Sequence, residues 1–383
     1  MSTNPAQSEP VASPDHSAVD ADTSHAPVAA TSVTVPHSVI RRYLGLKRLE
    51  KLDLPYHPLY ENAASDHRTS LVEFFNRLFT EIEQVDFDKD PKECGIWSPR
   101  SGNVLMPPLN ATGDNKELPV PISVKKRILT INQERWLART STHSDSHVKF
   151  SELAYLLARE HSRNEYVYTP SVFDAVELLT WDREDLLTAL RASKHGQRIH
   201  NVEMSIFQNF HEMPKVAGRD LLQDRVFHVL VVTTQTNHAE SPSELARSST
   251  VQLPIDFESF NDSMIVQRSH VKKIGSSRTY QIPQRHEKPG SKSVDKRLPH
   301  QGKKLTEGKY ASLERLTSAP RRPQSDVDSL GDHRWDMMTL STAGGLTRIA
   351  PKSVQEKETL VATAKDIEYV LAYIAEQRRQ KCG

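Results

Sequence analysis

The stretch TLVATAKDIEYVLAYIAEQRR, Thr359–Arg379, decides how the rest of the chain is read. Leu360, Ile367, Val370, Leu371 and Ile374 recur at helical spacing, with Ala364 between the first two, so one apolar stripe runs down a helix. Lys365, Asp366, Glu368, Glu376 and Arg378 fall on the wet side. Just upstream, Arg334–Ser341 (RWDMMTLS) reads as a strand, and Gly344-Gly345 as a break. A strand, a glycine corner and a long last helix predict a sheet that curls around that helix. Burying its five large apolar side chains at roughly 1.5–3 kcal/mol each would anchor the domain.

Working back toward the start, strands are predicted at Lys309–Leu316, Ser248–Phe257, Arg225–Thr236, Arg198–Phe210, Ser171–Thr180, Glu134–Thr142 and Pro121–Ile131, with a short one around Trp97. Val226–Val232 is apolar on both faces except at His228, which suits a strand in mid-sheet. Pro254 confines its strand to an edge or ends it there. Helices are predicted at Val148–Glu160, Arg68–Val85 and Ser38–Leu54, the last stopped by Pro55. The aromatic stripe Phe74, Phe75, Phe79 packs on a core or forms a lid. Elements in this order suit an α+β fold, a helix-grip in which a curved antiparallel sheet wraps the terminal helix. A βαβ fold would alternate strands and helices instead.

Composition sets limits on function. Over 383 residues the hydrophobic share is 37%, the charged share 26% and the net charge +1, so no global field selects nucleic acid or membrane. Residues 1–37 are rich in Ser, Thr, Ala and Pro, carry acids without Lys or Arg, and read as a disordered acidic tail. One domain then spans 38–380. Within it, 268–304 holds eleven Lys or Arg against Glu287 and Asp295 and reads as a flexible basic insertion. No apolar run is long enough to span a membrane. Cys94 and Cys382 give neither a zinc pattern nor a disulfide framework. The chain is expected to be cytoplasmic and monomeric, peripheral at membranes if the basic stretch engages an anionic leaflet, and free of nucleic acid.

No catalytic motif is present: no G-x-S-x-G, no P-loop, no G-x-G-x-x-G, no H-E-x-x-H. His143, Asp145 and His147 share a short span, but in a Ser-rich turn that suits helix capping better than metal, so no metal and no cofactor are expected. Alternation puts Leu137, Arg139 and Ser141 on one face of their strand, and Tyr310, Ser312 and Glu314 on one face of theirs. Facing a cavity, Arg139 and Glu314 could orient a polar head group; facing water, they would form a cross-strand ion pair of little worth. Trp136, Trp181 and Trp335 suit core positions or ligand platforms.

Seven stretches resemble, in order, a fungal family of unknown function with a START-like domain, named for steroidogenic-acute-regulatory-protein-related lipid transfer. They are WLARTSTH (Trp136–His143), HSRNEYVYTP (His161–Pro170), FHVLVVT (Phe227–Thr233), QLPID (Gln252–Asp256), YASLER (Tyr310–Arg315), WDMMTLSTAGGL (Trp335–Leu346) and AKDIEYVLAYI (Ala364–Ile374). The resemblance implies a curved sheet gripping the last helix around a lipid-sized cavity, and no known reaction. Two departures stand out: the basic stretch 268–304 interrupts the family's run, and Leu346-Thr347-Arg348 replaces a corner of glycine, proline and an aromatic. The expected activity is non-catalytic binding or transfer of a hydrophobic small molecule, lipid or sterol-like. Candidate cavity residues are Arg139, His143, Tyr310, Glu314, Trp335, Met337, Ile367 and Leu371. The alternatives are an enzyme acting on an apolar substrate, with Glu314 and His143 as its titratable groups, and an interaction protein with a solid core.

Overall fold

Two separate apolar cores, one on each face of a single sheet, organise the chain. The computed structural model describes residues 43–61, 69–89, 91–100, 102–109, 117–213, 223–236, 245–261, 263–282, 295–318, 332–342 and 352–382. The acidic tail, Pro320–Pro323, Gly344-Gly345 and Leu346–Arg348 lie outside them. The chain divides into Met1–Arg41, also outside the described residues, and one unit from Arg42 to Gly383.

In chain order the elements are α1 (Leu71–Gln84), β1 (Lys92–Trp97), β2 (Asn103–Met106), β3 (Leu118–Pro121), β4 (Val124–Ile131), β5 (Glu134–Ser144), α2 (Phe150–Ala158), α3 (His161–Tyr168) and β6 (Val172–Thr180). There follow α4 (Arg183–Ala192), β7 (Ile199–His211), β8 (Asp224–Thr236), β9 (Arg247–Pro254), β10 (Val271–Ile274), β11 (Ser277–Tyr280), β12 (Lys304–Thr317), β13 (Asp332–Thr342) and α5 (Lys352–Cys382). The sheet runs β1-β4-β5-β13-β12-β9-β8-β7-β6, with the β10–β11 hairpin added at the start of β12. Pairing is antiparallel except where Leu305–Gly308 of β12 runs parallel to Asp224–Phe227 of β8. β9 ends at Pro254, and β8 lies in mid-sheet, as its two-faced apolar run requires.

The inner face carries α2, α3 and α5. Leu360, Ala364, Ile367, Val370, Leu371 and Ile374 of α5 are all buried, most of them against Val124, Leu316 and Trp335. At its far end Arg378 ties the helix to Glu152 at 2.9 Å and to the carbonyls of Pro107 and His147, both at 3.0 Å. Arg378 is therefore buried rather than on the wet side. The α+β class, the curved sheet and the long last helix agree with the sequence reading.

The outer face differs from a simple grip because it is also covered. Phe74, Phe75, Leu78, Phe79 and Ile82 of α1 pack there on Trp136, Ala138, Leu230, Val232, Leu313 and Met338. Ser70 caps α1, accepting from the Glu73 N–H at 3.2 Å. The predicted helix over 38–54 does not form in its described part. Tyr43 and Leu44 give their N–H groups to the Glu81 carboxylate at 3.0 and 2.9 Å, and Leu49 bridges to Ile255. With its backbone held by α1 and the sheet, the segment buries Tyr43, Leu44, Leu49 and Leu54 with no more helix than a single 3-10 turn at Lys51–Asp53. Helix α3 carries no clear apolar stripe, and α4 only the short one of Leu186, Ala189 and Leu190; both escaped the sequence reading.

The basic stretch is largely folded, contrary to the flexible insertion expected of 268–304; residues 283–294 lie outside the described ones. Gly275, at φ +58°, turns the β10–β11 hairpin, and Thr279 pairs with Lys304. Tyr280 is fully buried, its hydroxyl donating to Asp174 at 2.7 Å. Acids distant in sequence take up the charges: Arg278 meets Glu307 at 2.8 Å and Glu258 at 2.7 Å, and Lys273 meets Glu258 at 2.8 Å. Charge counted along the chain missed these partners.

Candidate functional site

Register places Glu314 opposite Met337, and Met337 opposite Arg139, so the three stand in one row across β12, β13 and β5 on the inner face. Trp335, two residues from Met337, shares that face and fills the space between the charges. Its indole N–H donates to Glu314 at 3.2 Å, and the Arg139 guanidinium lies 4.1 Å from its ring centroid. An exposed ion pair is excluded, because Arg139 is 1% exposed and Glu314 7%. None of the three guanidinium nitrogens of Arg139 has a hydrogen-bond partner. Burial pulls its pKa down, while Glu314 and then Asp366 pull it back up. His143 sits at the edge of this group, 2.8 Å from Ser141 Oγ and 6.2 Å from the Trp335 ring. Burial, then Arg139, holds its pKa down at about 4.

Beside this row a cavity of about 350 Å³ opens between the sheet and the helices α3 and α5. Phe227, Gln252, Tyr310, Met337 and Thr339 line its sheet side, and Thr359, Ala362, Thr363 and Asp366 its α5 side. Glu165 faces it from α3. These two carboxyl groups are the unexpected feature. Burial, then Asp366 and Glu314, raise Glu165 to about 8. Burial raises Asp366 to about 7 against the pull of Arg139. His211, also on the lining, is held at about 4 by burial and Arg225. Behind them His161 faces the Leu157 carbonyl through Nδ1 at 2.9 Å. Its Nε2 meets the Gln252 amide at 3.1 Å, with Glu314 at 4.0 Å and Glu165 at 3.9 Å.

Of the eight expected residues, Tyr310 and Met337 line the cavity. Arg139, Glu314, Trp335 and His143 form the buried group next to it, and Ile367 and Leu371 are fully buried under the helix. Broader clefts open between α1 and α4 and beside α2, but they touch none of the eight. Glu165 and Asp366 were missed. Asp366 stands three residues after Thr363 and four before Val370, both buried, so helical geometry already put it on the flank of the stripe. The signal for Glu165 was only its place within the His161–Pro170 stretch. Among the described residues no group of three or more His, Cys, Asp or Glu is placed to hold a metal. Asp145 instead accepts from His333 at 2.6 Å and from the Phe150 N–H at 3.2 Å. Nor is any described helix long and apolar enough to cross a membrane.

A family model described as a protein of unknown function (DUF3074) matches residues 136–374. Among curated proteins none matches the sequence. Among solved structures, human STARD10 is similar at a TM-score of 0.32 and 9% identity, over 74% of this chain and 78% of that one.

Proposed function

The chain belongs to this DUF3074 family, and from that premise we propose that it binds, without chemistry, one hydrophobic small molecule in the cavity between the sheet and the helices α3 and α5. The single observation behind this reading is the cavity itself. At about 350 Å³ it lies toward the low end of the roughly 300–1,000 Å³ of small-molecule sites, which suits one chain or a compact ring system better than a diacyl lipid. Only Met213, Phe227, Met337 and Ala362 of its lining are apolar residues, but ring carbons, methyl groups and methylenes make up most of the exposed wall, which suits an apolar body while the many polar tips orient its polar end. A START-like, lipid- or sterol-type ligand agrees with the seven stretches that resemble that family. Transfer between membranes would follow from the exposed Lys272, Lys303 and Lys304, each worth about 1 kcal/mol beside an anionic leaflet.

The test is native mass spectrometry of the full chain with identification of what co-purifies, followed by reloading of the stripped protein. One apolar molecule per chain, displaced by competitors, is expected; a protein that neither carries nor reloads one overturns the reading. Flotation with anionic vesicles checks the membrane arm, where Lys272→Glu with Lys303→Glu and Lys304→Glu should abolish salt-sensitive binding. A second reading, an enzyme acting on an apolar substrate, draws on Glu165 and Asp366 as acid and base rather than on Glu314 and His143. Turnover of the co-purified molecule, lost in Glu165→Gln, would favour it.

A further inference from the structure

A buried guanidinium normally carries its own partners, because a charged donor left unpaired in the interior is costly. Arg139 has none: Nε, Nη1 and Nη2 are all buried and all lack an acceptor. Glu314, the acid that acts most strongly on it, accepts from the Trp335 indole, and Trp335 covers one face of the guanidinium. The free edge is a planar fork of N–H groups, which matches two oxygens of one carboxylate. It lies directly behind the cavity lining. Met337, the cross-strand partner of Arg139, is on that lining, as are Tyr310 and Asp366, whose carboxylate acts on Arg139. Met337 is unbranched and can change rotamer to let a ligand's end pass.

A second anion there would face an interior that already holds several acids. Glu165 comes from α3, Asp366 from α5 and Glu314 from β12, while Arg139 and, farther out on β8, Arg225 are the cations turned toward them. The other titratable groups in reach are His143 of β5, His161 and Tyr168 of α3, Tyr310 of β12, Tyr369 of α5, His211 of β7 and, exposed just past the end of β7, Glu212. Both tyrosines nearest the acids, Tyr168 and Tyr310, are held neutral by burial. Charge balance on adding an anion therefore falls to Glu165 and Asp366, the carboxyl groups of the cavity wall whose pKa values burial raises.

We propose that the ligand is a monocarboxylic acid whose carboxylate seats on the Arg139 fork, and that the Glu165–Asp366 pair takes up about one proton as it enters. The proton comes from solvent and no covalent bond changes. This rests on the cavity reading and adds the chemical class of the ligand. With pKa values of about 8 and 7 the pair holds about one of its two protons midway between them, leaving room for the second there and less at lower pH.

Dodecanoate, 1-dodecanol and methyl dodecanoate are the probes, bound to the stripped full chain by calorimetry at pH 6.5, 7.5 and 8.5 in buffers of different ionisation enthalpy. Dodecanoate should bind at least about tenfold more tightly than dodecanol at pH 6.5, as a two-donor, charge-assisted contact implies. Its affinity should fall about tenfold by pH 8.5, with proton uptake visible in the buffer dependence, while dodecanol stays level. Arg139→Met should remove the preference for the acid and keep dodecanol binding, with Arg139→Lys in between. Dodecanol binding as well as dodecanoate, or an acid affinity independent of pH, overturns the proposal and leaves the cavity reading standing. Binding of none of the three overturns both. If Arg139→Met does not fold, the selectivity and pH response of the natural chain decide alone.

Discussion

The Arg139 guanidinium rests 4.1 Å from the centroid of the Trp335 ring, and it does so in the interior, where neither group meets water. Stacking of this kind is worth about 2 kcal/mol or more once desolvated. The same ring stands between Arg139 and Glu314, giving its indole N–H to one oxygen of that carboxylate. One side chain thus holds two opposite charges apart on a single row of the sheet.

Trp335→Phe tests that arrangement. The ring face is kept while the N–H is lost, so buried Glu314 forfeits a donor and stability should fall by about 1–3 kcal/mol in urea melts. An unchanged midpoint would mean that Glu314 finds another partner.

Ile367 is fully buried at the centre of the α5 stripe. Ile367→Ala should cost about 2–5 kcal/mol, and Ile367→Asp more, since the charge would have no partner in the core. Melts equal to the natural chain would remove α5 from its organising role.

The folded hairpin of the basic stretch makes its own prediction. Tyr280→Ala empties a site among Phe173, Phe210 and Val226 and should cost about 3–5 kcal/mol, read by thermal or urea unfolding. A change under about 1 kcal/mol would favour the flexible insertion expected from the sequence.

Stability should respond to pH in two windows. Glu165 and Asp366 have folded-state values of about 8 and 7, above their ordinary 4.5 and 3.8, so the folded chain binds more protons than the unfolded one between these limits. Their contribution is complete below about pH 4 and is lost as pH rises through 7 to 8. His143 and His211 run the other way: held near 4 against 6.5, they stabilise above 6.5 and lose that as pH falls toward 4. From pH 6.5 to 8 the histidines still add a little as the unfolded chain sheds its remaining imidazole protons, but the carboxyl groups change more, so the empty protein should melt lower at pH 8 than at 6.5. Glu165→Gln should flatten that slope, and a slope unaltered in the variant would count against the assignment.

How far the sequence could be read depended on whether one face or one partner settled a residue's place. The stripe through Ile367 and Leu371 and the two-faced run Val226–Val232 are local patterns, and both landed where expected. Alternation grouped Leu137, Arg139 and Ser141 on one face and Tyr310, Ser312 and Glu314 on another, but it left open whether those faces meet the core or water, and it could not show β13 lying between the strands. The segment from Tyr43 to Leu54 looked helical because helix spacing and irregular burial are alike over a short run. What decided it was Glu81, well over thirty residues away, accepting its N–H groups. Lys273 and Arg278 looked mobile for the same reason, their acids Glu258 and Glu307 being out of local view. Glu165 and Asp366 become a pair only when α3 and α5 are brought to one cavity.

The covering of the outer face bears on how this protein can be produced in pieces. The family match begins at Trp136, inside β5, and stops at Ile374, before Arg378. A fragment cut to those limits would lose β1, β4 and α1, bare the apolar side of Leu230, Val232 and Leu313, and leave β5 as an unpaired edge. It would also sever the clasp of Arg378 on Glu152. The shortest expressible unit accordingly starts near Arg42 and keeps the last turns of the terminal helix, and a domain library trimmed to the match would be expected to yield aggregates.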